Sequence, residues 1–363
     1  MKLASAGPCA AVAALMLGLL CVSPARGQVT GEIRKIDPPE QGFYSKEFVV
    51  RGIRILAHAD VSDAAIDEAA RRLDRQLGRA PEIVANMAAM GAELHIIGEK
   101  QEVSDLPEYR HMKGKPFEGT QTVDARARGL GGLTSSCCEE NLLMLPSDRW
   151  TDHRDICVHE FAHGILEFGV TRDIRDKVEA QRKASLAAGR WTTMYAGTND
   201  QEFFAELTMW YFGTRGDYGK LQPPPSPGPR WFRSYDPEAY NLLDAIYSGR
   251  LKPGKIEVKE LAPLGPEAEA KTRSGDSRRP TTIIFVNKTD KPVEKFWLDF
   301  GGKRKSYGTL RPGGMDSIST FATHAWLIEG QNKAVLGIFV AEEGIGRAVI
   351  RGPEGTPGAP SAK

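Results

Sequence analysis

Hydrophobic positions in the earlier part of the chain alternate between the period of strands and the period of helices. Residues 48–56 and 93–97 are short apolar runs rich in β-branched side chains, which predicts two strands. Residues 62–78 place apolar side chains at helical spacing, which predicts an amphipathic helix between those strands. Strands and helices mixed in this way predict a single α+β domain over residues 28–261.

The pattern changes to period two beyond residue 280, with glycine and proline turns between short apolar runs. This spacing predicts an all-β sandwich over residues 281–345. The polar, proline-containing residues 262–280 predict an interdomain linker, and the glycine- and proline-rich residues 346–363 predict a disordered tail. The predicted strands of the sandwich are 282–287, 296–300, 316–321 and 324–328.

A metal-binding motif lies in the helix-compatible run of residues 156–166. His159 and His163 are four residues apart, so they share one helix face and both imidazoles can reach one ion. Glu160 lies about 100° further round the helix, where it can take a proton from water beside the metal. This arrangement predicts a zinc (Zn²⁺) hydrolase with Glu160 as its catalytic base.

Catalytic zinc takes a third protein ligand, and Glu202 is the predicted one. Thr198 or Asn199 can cap a helix that begins here, and a capping role for Glu202 is the alternative interpretation. Glu206 lies one turn further along the same face. It is the rival ligand, although we expect it to accept from a ring N–H of a ligand histidine instead.

Residues 139–146 are predicted as a short strand directly before the metal helix. Such a strand is expected to form the edge of a cleft, where an extended peptide could add as a further strand. An ordinary core strand is the alternative.

The first 27 residues predict a secretory signal peptide. They combine a basic start, a short apolar core and small residues before a cleavage point, and they are too short for a convincing membrane span. We therefore expect a secreted or periplasmic protein, in which Cys137, Cys138 and Cys157 remain. In an oxidising compartment one pair of these cysteines can form a disulfide, and the odd one remains a thiol. Cys138 with Cys157 is one candidate pair, which would tie the preceding strand to the metal helix, and the sequence leaves the choice open.

The balance of basic and acidic residues limits the classes of binding partner that we expect. The chain has 48 basic and 47 acidic residues, and its formal net charge is +1. This balance gives no electrostatic case for nucleic-acid binding. A protein or peptide substrate is the expected partner, and no stable membrane span is expected.

The stretch 195–206, read together with 159–163, resembles the catalytic domain of the lethal-factor-like zincin metallopeptidases of the gluzincin type. The shared pattern is Tyr-x-x-Thr-Asn-x-x-Glu-Phe-Phe-Ala-Glu with His-Glu-Phe-Ala-His. The resemblance implies a zincin fold with His159, His163 and Glu202 as the zinc ligands and Glu160 as the general base. It also implies that Tyr195 donates its hydroxyl to the tetrahedral oxyanion.

Residues 283–340 resemble the von Hippel-Lindau β domain. The resemblance is carried by Ile-Phe-Val-Asn at 284–287, Trp-Leu-Asp-Phe at 297–300, Tyr-Gly-Thr-Leu-Arg-Pro-Gly at 307–313 and His-Ala-Trp-Leu at 324–327. It implies a sandwich that binds peptide through a hydroxyproline pocket. The positions that match the pocket are Trp297, Tyr307, Thr320, His324 and Trp326. Thr320 replaces the family's serine, and Phe321 and Ala322 replace its tyrosine and arginine, so the flanking peptide preference is expected to differ.

Together these patterns predict a secreted zinc metallopeptidase with a carboxy-terminal sandwich that selects peptide substrates, including hydroxyproline-bearing ones. A non-catalytic or weakly catalytic binding protein, with the sandwich as its working part, is one alternative. The presence of Glu160 argues against it, because a degenerate enzyme need not keep its base. The other alternative is a zinc hydrolase that acts on a non-protein amide.

Overall fold

The computed structural model describes residues 29–352 except 30, 151 and 153, so the predicted signal segment 1–27 lies outside the described residues. The chain forms a mixed α/β region followed by a β-rich region. The helices of the first region are α1 (Asp63–Leu77), α2 (Pro81–Met90), α3 (Val123–Arg126), α4 (Glu139–Leu143), α5 (Ile156–Gly164), α6 (Arg172–Ala187), α7 (Asp200–Tyr211), α8 (Pro229–Tyr235) and α9 (Pro237–Tyr247).

The strands of the first region are β1 (Arg34–Glu40), β2 (Tyr44–Val50), β3 (Ile53–Ala57), β4 (Glu93–Ile97), β5 (Pro116–Glu118), β6 (Gln121–Thr122) and β7 (Thr134–Cys138). A five-stranded sheet forms the base of this region, in the order β1-β2-β3-β4-β7. The neighbours β1-β2 and β2-β3 are antiparallel pairs, whereas β3-β4 and β4-β7 are parallel pairs. Strands β5 and β6 form a separate small hairpin.

Two of the predicted elements of this region match the structure closely, and one is divided. The predicted strand 93–97 is β4, and the predicted helix 62–78 is α1, whose cap Ser62 accepts from the Ala65 N–H. The prediction of one continuous strand at 48–56 is wrong. Arg51 and Gly52 both have positive φ and form a turn, so the segment is divided between the two strands of the hairpin β2-β3.

The strand predicted at 139–146 is wrong. The strand before the metal helix is β7, and the chain enters helix α4 directly at Glu139. The Glu139 carboxylate at this start is held in place, because it accepts from the Ser62 and Glu99 N–H groups at 2.9 and 3.1 Å. The five residues of β7 are threonine, serine and cysteine, which gave no hydrophobic alternation to recognise.

The structure shows no disulfide among the three described cysteines, and it places Cys157 beside a different cysteine from the candidate Cys138. Cys137, Cys138 and Cys157 are all buried free thiols. Successive residues of a strand point to opposite faces, so Cys137 faces α5 and Cys138 packs in the separate cluster around Tyr44. Burial raises the pKa of Cys137, and a hydrogen bond with Cys157 raises it further. Cys137, and not Cys138, is therefore the neighbour of Cys157.

The strands of the β-rich region are β8 (Val258–Glu260), β9 (Pro280–Asn287), β10 (Val293–Leu298), β11 (Arg304–Leu310), β12 (Met315–Phe321), β13 (Ala325–Glu329), β14 (Val335–Val340) and β15 (Ile345–Ile350). They form a sandwich of two four-stranded sheets, β11-β10-β13-β14 and β12-β9-β15-β8. Its core lies between the sheets and contains Phe285, Trp326 and Phe339.

Two segments around the sandwich differ from their predictions. The disordered tail predicted at 346–363 is wrong for its first residues, because β15 lies between β9 and β8 and buries Gly346, Ala348 and Ile350. Gly346 and Ala348 are small, so the alternation of buried and exposed positions in this strand is not evident from the sequence. Residues 353–363 lie outside the described part of the chain.

The segment predicted as a linker, 262–280, packs on the sandwich. Leu264 pairs with Ile338, and the Ser274 hydroxyl donates to the Leu298 carbonyl. Ala268 covers the apolar outer face of the sheet that contains β10 and β13. The segment therefore closes the outer side of the sandwich.

The two regions share apolar and charged contacts. Ile284 joins the main core of the first region, and Arg347 donates to the Ala89 carbonyl at 3.1 Å. Lys288 forms an ion pair with the buried carboxylate of Glu93 at 2.5 Å. No helix in the described part of the chain has both the length and the apolar character that a membrane crossing requires.

Candidate metal centre and candidate peptide pocket

Helix α5 places two imidazoles side by side. Its cap Asp155 accepts from the Val158 N–H at 3.0 Å and is held by Arg72 at 2.6 Å, which fixes the start of the helix. His159 and His163 then project from the same face, and their Nε2 atoms are 3.1 Å apart. Candidate ligand atoms of His159, Glu160 and His163 all lie within 4.8 Å of one another.

Helix α7 brings a carboxylate to the same place. Asn199 is the helix cap, because its side chain accepts from the Glu202 N–H at 2.8 Å. Glu202 Oε2 lies 3.3 Å from His159 Nε2 and 3.7 Å from His163 Nε2. This carboxylate oxygen is buried from solvent beside both imidazoles.

These spacings fit a zinc ion. Zinc–nitrogen and zinc–oxygen bonds of about 2.0–2.1 Å in tetrahedral geometry require ligand atoms about 3.3 Å apart. The three separations among His159, His163 and Glu202 are 3.1, 3.3 and 3.7 Å. Two imidazoles and one carboxylate are also a donor set that zinc accepts.

The site perturbs the pKa values of its own groups. Burial alone would lower the pKa of His159, but the hydrogen bond and charge of Glu202, with Glu160 and Glu206, raise it to about 9. Burial and the neighbouring charge of His159 lower the pKa of His163 to about 4. A cation bound between these groups would replace the proton on His159, because imidazole ligates in its neutral form.

Glu160 has the properties of a proton acceptor. It is half-buried beside the two histidines, and its partial burial together with the charges of Glu202 and Glu206 raises its pKa to about 7, against the lowering effect of His159. A carboxylate with a pKa near neutrality can both accept and return a proton.

Glu206 lies behind His159, as expected of a residue that orients a ligand. Its Oε1 atom is 3.3 Å from His159 Nδ1, although the pair is not aligned as a hydrogen bond. Burial raises the pKa of Glu206, against the lowering charge of His159. A carboxylate at Nδ1 favours the tautomer in which Nε2 is free to bind metal.

Tyr195 lies at the edge of the centre, in a short 3₁₀ turn (Tyr195–Gly197) before α7. Its hydroxyl donates to the Glu202 carboxylate. Burial tends to raise the pKa of Glu202, but His159, His163 and this hydroxyl lower it overall. The ring is 37% exposed, so its phenol is accessible from the cleft.

The centre opens into a cleft of about 900 Å³. One wall is the segment 127–131, which pairs with β7 through Leu130 and Ser136. Gly129 and Gly131 allow this wall to approach α5 closely, because a Cβ on Gly131 would lie 2.6 Å from His163 Cβ. The cleft edge predicted at 139–146 is therefore formed by 127–131 instead.

Two residues in the site carried no signal in the sequence. Gln201 Oε1 is 3.3 Å from His163 Nδ1, so it faces the second imidazole as Glu206 faces the first. Asp217 contacts both Glu206 and Tyr195 from the loop after α7. Gln201 occupies an unspecified position of the 195–206 pattern, and Asp217 lies outside that pattern, so neither contact could be predicted from the sequence.

The five predicted pocket residues of the sandwich also lie near one another. Trp297 and Trp326 face each other across β10 and β13. The Trp297 ring is 5.2 Å from that of His324, and the Tyr307 ring is 4.8 Å from that of Trp326. Thr320 Oγ1 is 3.0 Å from His324 Nδ1. The group thus combines aromatic walls with one hydroxyl and one imidazole.

Exposed aromatic rings surround this group. Phe300, Tyr307 and Phe321 are 53%, 49% and 41% exposed. The indole N–H of Trp297 is buried and has no hydrogen-bond partner among the described residues. Trp326 also packs on Phe285 in the sandwich core, so it serves the fold as well.

Comparison with protein families identifies the second region. The family model described as the VHL beta domain matches residues 272–337. The carboxy-terminal module is therefore VHL β-like, which confirms the resemblance seen in its sequence, and VHL β domains are substrate-recognition domains. The match begins within the segment that closes the sandwich, in agreement with the packing of that segment.

Proposed function

We propose that this protein is a zinc metallopeptidase whose first region is a lethal-factor-like zincin domain. The observation that carries the proposal is the spacing of His159 Nε2, His163 Nε2 and the buried Glu202 Oε2, which suits tetrahedral zinc. When bound, zinc supplies a Lewis acid that acidifies water and polarises a carbonyl.

Glu160, Tyr195 and segment 127–131 would each have a separate role in the reaction. Glu160 takes a proton from the attacking water and passes it to the leaving amine, for which a pKa of about 7 is suitable. Tyr195 turns its hydroxyl from Glu202 to the developing oxyanion. Segment 127–131 offers the edge along which an extended peptide lies as an added strand.

Substitution of the base tests this proposal. Glu160→Gln keeps the shape of the side chain but removes the proton acceptor, and we expect peptide hydrolysis to fall by about 10²-fold or more. Glu179→Gln, on the exposed face of α6, is the matched control. Undiminished cleavage by Glu160→Gln would contradict the mechanism. Hydrolysis of small amides but of no peptide would favour the non-protein amide instead.

We further propose that the VHL β-like module binds peptides that contain hydroxyproline. A pyrrolidine ring fits between aromatic walls, and its hydroxyl would pair with Thr320 and His324, whose polar atoms already lie 3.0 Å apart. Plain proline lacks this hydroxyl and would gain no hydrogen bond from Thr320 or His324, so it would bind more weakly. The module would then select substrates for the peptidase, in a secreted or periplasmic setting.

Paired peptides test the second proposal. We expect a hydroxyproline peptide to bind the full chain more tightly than its proline twin, by about 10-fold. His324→Ala should remove the difference, whereas His58→Ala, distant in the first region, should keep it. Equal binding of both peptides by the unmodified protein would exclude hydroxyproline recognition. Strong binding without any hydrolysis would favour the non-catalytic alternative.

A further inference from the structure

The loop 213–219, which follows α7, contacts two polar neighbours of the candidate metal centre. The Asp217 N–H donates to Glu206 Oε2 at 2.5 Å, and Asp217 Oδ2 accepts from the Tyr195 N–H at 2.7 Å. The second carboxylate oxygen accepts from the Gly219 N–H at 3.2 Å. Asp217 therefore connects the residue beside His159 with the residue whose phenol reaches Glu202.

Two glycines allow this close approach. A Cβ on Gly216 would collide with the Glu206 carboxylate. Gly219 has a positive φ of +56°, and a Cβ there would lie 2.7 Å from the Thr193 carbonyl. The loop is thus shaped to lie directly on the turn that holds Tyr195.

We propose that Asp217 is a positioning residue for the peptidase reaction. Its carboxylate fixes the backbone of Tyr195 and so the place of the phenol, while its N–H holds Glu206 in position behind His159. The inference rests on the proposed peptidase function, because Tyr195 needs accurate placement only if it stabilises an oxyanion. A misplacement of about 1 Å can cost about 10²-fold in rate.

A double-mutant cycle in the full-length zinc-loaded protein tests the proposal. We expect Asp217→Ala to lower kcat by about 10–100-fold with KM within about twofold. Asp217→Asn should remain within about threefold of the unmodified protein, because an amide oxygen accepts the same hydrogen bond. In a Tyr195→Phe background, Asp217→Ala should cost less than about threefold more, because both changes remove one function.

Hydrogen exchange gives a second readout that does not depend on activity or metal. In chelator-treated protein, the Tyr195 amide should exchange at least about fivefold faster in Asp217→Ala than in the unmodified protein. Asp217→Asn should keep the slow rate. Asp176→Ala, on the exposed face of α6, is the matched control for both experiments.

The outcomes separate the two claims. If the unmodified protein binds zinc but cleaves no peptide, the proposed function fails, and the positioning role fails with it. If the unmodified protein is active and the losses from Asp217→Ala are equal in both backgrounds, only the positioning role is overturned. Unchanged amide exchange in Asp217→Ala would also overturn it.

Discussion

Removing the charge behind His159 should weaken zinc binding without unfolding the protein. Glu206 is 1% exposed, and its Oε1 atom is 3.3 Å from His159 Nδ1. Glu206→Gln keeps an acceptor for the Asp217 N–H but removes the carboxylate that favours the metal-binding tautomer. Loss of such an outer partner typically weakens metal affinity by about 10–100-fold, or about 1.4–2.7 kcal/mol.

Competition with a chromogenic chelator would measure this change directly. The zinc dissociation constant should rise by that factor in Glu206→Gln and stay unchanged in Glu179→Gln, which is exposed on α6 and pairs with Lys183. Circular dichroism and the thermal midpoint should confirm that both variants are folded. An unchanged zinc affinity in folded Glu206→Gln would refute the assigned role of Glu206.

Two further predictions concern stability. Lys288→Ala should lower the free energy of unfolding by about 1–3 kcal/mol, because Glu93 loses one of its partners at the interface between the regions. The control Lys291→Ala, at an exposed site, should leave the free energy of unfolding nearly unchanged when both variants are unfolded in urea. Burial would lower the pKa of His95, but Glu108 and Glu93 raise it to about 9, above the unfolded value near 6.5. The resulting stabilisation, about 3 kcal/mol, is complete below pH 6.5 and is lost as pH rises through 9. His95→Gln should flatten that dependence, and an unchanged slope would contradict it.

Elements with strong local signals could be predicted from the sequence. Helix α1 has a serine cap and regular apolar spacing, and β4 is a continuous buried run. The turn at Arg51 and Gly52 interrupts an otherwise continuous apolar run, and the positive φ of both residues defines it. Strands β7 and β15 give weak sequence signals, because most of their buried positions are small or polar residues.

In the candidate site, too, residues with a local sequence signal could be predicted and the others could not. His159, Glu160 and His163 are local in sequence, so helical spacing alone predicts that they lie together. Glu202 could be predicted because its neighbours form a recognisable pattern before a helix. Asp217 acts partly through its backbone N–H, which any residue except proline would supply, and so its role leaves no mark in the sequence.

The sandwich contributes a different kind of information. Its fold was recognised from short motifs, and the family comparison confirms it over residues 272–337. The ordered packing of 262–280 was not predictable from a polar, proline-containing composition. Its few apolar side chains, such as Ala268, cover a face that the strand pattern left exposed.

Zinc titration of the metal-free protein tests the central claim most directly. The account predicts that a chelator abolishes peptide hydrolysis, and that the binding of one zinc ion per chain restores it. His163→Ala should abolish both the zinc binding and the restored hydrolysis, because it removes one of the three ligands. Peptide hydrolysis that survives complete removal of zinc would contradict the account.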